Sequence, residues 1–74
     1  MSGNEEALNH LIRMANQIAA NFAFEADPDV AATAVASNMR RFWSPSMRQS
    51  LREQSQLPNA DLSDLALRAA AKLQ

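Results

Sequence analysis

The chain has 74 residues, no cysteine and a formal net charge of −1, and hydrophobic residues make up 47% of it but aromatics only 5%. That length predicts a single domain over residues 1–74, with a core that contributes only about 3–5 kcal/mol. The composition closes off disulfides, thiolate metal sites and iron–sulfur clusters.

Alanine, leucine, methionine, glutamine, arginine and glutamate favour helix, and β-branched residues are scarce, so the predicted fold is all-α: a small bundle of three to four short helices. No apolar run approaches the roughly 20 residues of a membrane span. The first residues also lack the basic and apolar regions of a secretory signal. The expected location is cytoplasmic. A marginal core without staples points to a partner as the further source of stability.

The first helix is expected over about residues 4–23. Ser2 and Glu5 have the spacing of a capping box, with Asn4 as the alternative cap. Leu8, Leu11, Ile12, Ala15, Ile18, Ala19 and Phe22 then recur at helical spacing and share one face. Arg13, Asn16 and Gln17 lie on the other.

Asp27-Pro28-Asp29 predicts the second start: Asp27 caps, Pro28 suits the first helical position, and Asp29 complements the helix dipole. This helix is expected over 28–42 and has more apolar surface than one core needs. Ala31, Ala34, Val35 and Phe42 form one stripe; Ala32, Ala36, Met39 and Trp43 form a second. Two apolar faces on one short helix suggest two neighbours, one of them outside the chain.

Ser44 and Pro45 end that helix and begin a third, expected over 45–55, because a residue before proline is driven out of the α region. This helix buries little beyond Met47 and Leu51 and exposes Arg48 and Arg52. After a loop containing Pro58 and Asn59, a fourth helix is expected over 61–73, with Leu62, Leu65, Ala66, Ala69 and Leu73 on one face.

Charge is unevenly spread. Residues 1–29 carry five acids against Arg13, whereas residues 30–58 carry Arg40, Arg41, Arg48 and Arg52 against Glu53. No catalytic constellation accompanies this basic middle. His10 is the only histidine, and it falls on the polar side of the first helix as a solvated residue. Glycine loops for phosphate are impossible with Gly3 alone. Glu5/Glu6 and Asp27/Asp29 sit at helix starts, where the dipole accounts for them. No catalytic, cofactor-binding or metal-binding residue is expected. Arginines interleaved with Phe42 and Trp43 suit a solvated face, a protein interface or a nucleic-acid surface.

Two segments carry a resemblance. Arg13-Met14-Ala15-Asn16-Gln17-Ile18-Ala19 followed by Phe22, and Met39-Arg40-Arg41-Phe42-Trp43-Ser44-Pro45-Ser46-Met47-Arg48, resemble the signature segments of the delta subunit of NAD-dependent, molybdenum-containing formate dehydrogenase. Arg68-Ala69 in the last helix also fits. The chain departs from the family pattern at Ser44 and Ser46, where Asp and Arg are usual.

The resemblance implies a non-catalytic accessory subunit of a soluble cytoplasmic complex, bound to its catalytic large subunit. Its role would be assembly, stability or molybdenum-cofactor retention. The molybdopterin cofactor, iron–sulfur clusters, FMN and NAD would belong to other subunits. The candidate partner-binding residues are Arg13, Asn16, Gln17, Met39, Arg40, Arg41, Phe42, Trp43 and Arg48, with neither nucleic acid nor membrane expected as a partner. The rival readings are a small helical regulator that binds nucleic acid through the arginines, and a homodimer formed through the Ala32/Ala36/Met39/Trp43 stripe when the chain is isolated.

Overall fold

The computed structural model describes residues 3–73, with side chains from Glu5 onward. It is a small all-α bundle of four helices: α1 (Gly3–Asn21), α2 (Pro28–Phe42), α3 (Pro45–Ser55) and α4 (Asp64–Ala71). Every pair of helices touches, and the contact between α2 and α4 is the most extensive. Small side chains explain that intimacy. Ala31, Ala32 and Ala36 on α2 and Ala66, Ala69 and Ala70 on α4 are all buried, and helix axes approach according to the size of the side chains between them.

Helix starts follow the predicted chemistry. Asp27 has extended dihedrals, and its carboxylate accepts from the N–H groups of Asp29 (2.9 Å) and Val30 (3.4 Å), with Pro28 next in the chain. Ser44 does the same for α3: its Oγ accepts from Met47 N–H at 3.1 Å. The expected Ser2 cap and its Asn4 alternative lie outside the described side chains.

The fourth helix is shorter than its apolar pattern implied. It begins at Asp64, capped by Ser63, whose Oγ accepts from Ala66 N–H at 3.1 Å. Residues 61–63 are not helical because Asn16 on α1 holds them. Asn16 Nδ2 donates to the carbonyl of Asp61 at 2.9 Å, and Asn16 Oδ1 accepts from Ser63 N–H at 2.9 Å. Leu62 still reaches the core, but from the loop. At the other end α4 stops at Ala71, with Lys72 as its cap, and Leu73 packs inward beyond it. Likewise α1 stops at Asn21, and turns carry Phe22 on toward Asp27.

The core joins all four helices through Leu11, Ala15 and Ala19 of α1, Val35 and Met39 of α2, Leu51 of α3, the alanines of α4, and Trp43. Both stripes of α2 therefore turn inward in part. Ala32, Ala36, Met39 and Trp43 are buried throughout, whereas the other stripe divides: Ala31 and Val35 are buried and Phe42 stands out. No helix among the described residues is long and apolar enough to cross a membrane.

Candidate docking surface

The α2–α3 corner positions the most unusual surface of the molecule. α2 ends as Trp43 takes extended dihedrals while its N–H still donates to the Met39 carbonyl at 2.7 Å. Ser44 then caps α3 at once. With only two residues between helices, neighbouring aromatics diverge: Trp43 turns in and is 6% exposed, while Phe42 turns out and is 70% exposed. The Arg41 guanidinium lies over the Phe42 ring, 5.4 Å from its centroid, within the range of a cation–π contact.

The other arginines gather near the same corner and the end of α4. Arg40 Nη2 donates to the carbonyl of Lys72, which satisfies one of the carbonyls a helix C-terminus leaves open. Arg48 and Arg52, one turn apart on α3, line a pocket of about 190 Å³ with Pro45, Gln49 and Leu73. Arg52 Nη1 donates to Gln49 Oε1 at 3.1 Å, and Gln49 Nε2 donates to Glu53 Oε2 at 3.1 Å. Arg48 Nε is buried without a hydrogen-bond partner. None of Arg40, Arg41, Arg48 and Arg52 forms an ion pair with a carboxylate among the described residues. Residues 30–52 contain no Asp or Glu at all, so the local field is positive.

Two of the expected contact residues are corrected by burial. Met39 is fully enclosed and Trp43 nearly so, because both pack into the core cluster that joins all four helices. Neither offers a surface to a partner, and the Ala32/Ala36/Met39/Trp43 stripe is covered by the chain's own core rather than free for a second copy.

Asn16 is also committed internally, to residues 61–63. Gln17 is exposed and donates to Asn21 Oδ1 at 3.3 Å along α1, and Arg13 is exposed on the same helix. No hydrogen bond or ion pair among the described residues joins Arg13, Asn16 or Gln17 to the arginines of α2 and α3. Arg40, Arg41 and Phe42 are exposed and Arg48 is half-buried. Arg52 completes the Arg48 pocket although it was not among the expected contacts; its place four residues after Arg48 was the available signal. Phe24 and Leu57, 82% and 53% exposed, carry no periodic signal because both lie in turns.

Other concavities are less distinctive. His10, exposed as expected, borders a cleft of about 320 Å³ between α1 and α3 that is floored by Leu8, Leu11, Met14 and Met47. No group of three or more His, Cys, Asp or Glu among the described residues could hold a metal ion.

These features define a small all-α protein whose distinctive surface is an exposed aromatic beneath Arg41, in a segment whose other arginines form no ion pair with a carboxylate among the described residues. The chain belongs to the family described as NADH-dependant formate dehydrogenase delta subunit FdsD, whose model matches residues 10–70. Both segments that carried the sequence resemblance fall inside that match. No curated protein and no solved structure matches the chain significantly.

Proposed function

We propose that this chain is a non-catalytic, cytoplasmic accessory subunit that docks on the catalytic large subunit of an NAD-dependent, molybdenum-containing formate dehydrogenase. Its docking supports assembly, stability or retention of the molybdenum cofactor. The molybdopterin, iron–sulfur, FMN and NAD chemistry of the complex resides in other subunits.

Membership of the delta-subunit family supports the complex. One observation supports the surface: Phe42 is 70% exposed beside Arg41 in a four-residue run that also supplies the buried Trp43. An aromatic anchor with adjacent arginine is the composition most enriched among binding hot spots. The docking residues in this reading are Arg40, Arg41, Phe42 and Arg48, with Arg52 added and Met39 and Trp43 supporting them from inside.

Co-expression tests the proposal. The catalytic subunits are produced with the wild-type chain, with Phe42→Ala, with Arg41→Glu, and with no delta chain. Wild type is expected to co-purify stoichiometrically and to raise molybdenum content or the yield of intact complex. Each variant should bind about 2 kcal/mol more weakly. Catalytic subunits that assemble, hold molybdenum and oxidise formate equally well without this chain would remove the proposed role.

A further inference from the structure

The Arg48–Arg52 pocket is built differently from the rest of the basic surface. Arg40 is satisfied by the Lys72 carbonyl, and Arg41 lies over the Phe42 ring. Arg48 has neither kind of partner among the described residues. Its Nε is buried without a hydrogen-bond partner, and its Nη nitrogens are not among the buried unpaired atoms. Arg52, one turn away, has a single neutral partner in Gln49. Glu53, the first acid after residue 29, is tied to Gln49 and does not line the pocket. Two guanidinium groups thus border one concavity that no Asp or Glu side chain among the described residues lines.

The walls narrow the choice of ligand. Pro45 and Leu73 add apolar surface to the lining. At about 190 Å³ the space is smaller than the roughly 300 Å³ at which small-molecule sites begin, so it suits one side chain rather than a nucleotide or free cofactor. A guanidinium fork accepts a carboxylate through two parallel N–H bonds, and the methylenes of a glutamate match the proline and leucine walls.

We infer that this pocket receives a glutamate or aspartate side chain from the protein surface on which the chain docks. The inference rests on the docking reading above and names the chemistry of the partner's anchor. In the complex the carboxylate supplies the counter-charge that residues 30–52 lack.

The test uses the full chain and the co-expressed catalytic subunits of formate dehydrogenase. Arg48→Gln and Arg52→Gln are compared with wild type for binding, with thermal melting by circular dichroism as the check on folding. A second measurement places an amine in the pocket with Arg52→Lys in a Lys72→Arg background. Carbodiimide then condenses that amine with any carboxylate beside it, losing water, and peptide mapping identifies the partner residue.

The expected result is a roughly 10- to 30-fold loss of affinity for each glutamine variant with unchanged melting, and a cross-link from position 52 to one acidic residue of a catalytic subunit. Wild-type binding that both glutamine variants retain in full, with no cross-link at position 52, overturns the pocket while leaving the docking reading intact. Failure of the wild-type chain to bind the catalytic subunits overturns both.

Discussion

Lys72 Nζ lies 2.9 Å from Asp29 Oδ1, and so ties the residue that ends α4 to the first turn of α2. The Lys72 carbonyl accepts from Arg40 near the other end of α2, so a single residue straps that helix lengthwise. The hydrogen bond from Lys72 and then its charge hold the Asp29 carboxyl below its ordinary value of 3.8; desolvation opposes this, and the charge of Arg68 adds to it. A lowered native value means the unfolded chain binds the proton more readily. The ion pair therefore stabilises the fold above about pH 4 and its contribution disappears as pH falls through the lowered value. Urea midpoints measured across the acid range should fall more steeply for wild type than for Asp29→Asn. Superimposable curves would show that the pair contributes nothing.

Asn16 should be worth more to stability than its place on the polar side of α1 suggests. Its amide makes one bond as donor and one as acceptor to backbone groups of residues 61–63, across a sequence separation of 45 to 47 residues. Those two bonds set where α4 starts and bring Leu62 into the core. Asn16→Ala is expected to cost about 1–2 kcal/mol, the usual net value of two such hydrogen bonds. Asn16→Asp keeps the acceptor but sets a carboxylate oxygen against the Asp61 carbonyl, so it should cost at least as much as Asn16→Ala. Urea unfolding would measure both, and an Asn16→Ala variant as stable as wild type would remove Asn16 from the scaffold.

Adjacent aromatics should respond oppositely to truncation. Trp43 fills the junction of the core, so Trp43→Ala is expected to cost about 3–5 kcal/mol, comparable to what the whole core of so small a domain provides. That variant should be largely unfolded by circular dichroism when isolated. Phe42→Ala removes a ring that is mostly in water and should leave the melting curve within about 0.5 kcal/mol of wild type, while weakening association with the catalytic subunits. Loss of folding in Phe42→Ala, or its absence in Trp43→Ala, would contradict this division of labour.

The sequence carried the helices well and the surface poorly, for reasons those two aromatics illustrate. Asp27-Pro28 and Ser44-Pro45 are local signals, complete within four residues, and the chain obeys both. The start of α4 depended on Asn16, more than forty residues away, which no local pattern reveals. The side on which Trp43 falls depended on the helix ending at Phe42 and on the narrow alanine faces of α2 and α4. Periodicity put Phe42 and Trp43 on two separate apolar stripes and both among the expected contacts, and only packing turns Trp43 in and Phe42 out.

Arginines without carboxylates could serve a polyanion as well as an acidic protein, and salt dependence separates the two. The surplus of positive charge lies within residues 30–52, but the whole chain is acidic by one charge, with Glu25, Asp27, Asp29, Asp61 and Asp64 distributed over other segments. A nucleic acid tracks a long basic surface and loses affinity steeply with salt as several counterions are released, whereas the proposed contact through one exposed ring and one carboxylate should have a shallower slope. The chain should therefore pass unretained over immobilised single- and double-stranded nucleic acid at physiological salt, yet remain with formate dehydrogenase catalytic subunits under the same conditions. Arg40→Glu, which also removes the cap on the Lys72 carbonyl, should lower thermal stability slightly without changing the nucleic-acid result. Retention on nucleic acid that Arg48→Glu abolishes would reassign the arginines to a polyanion.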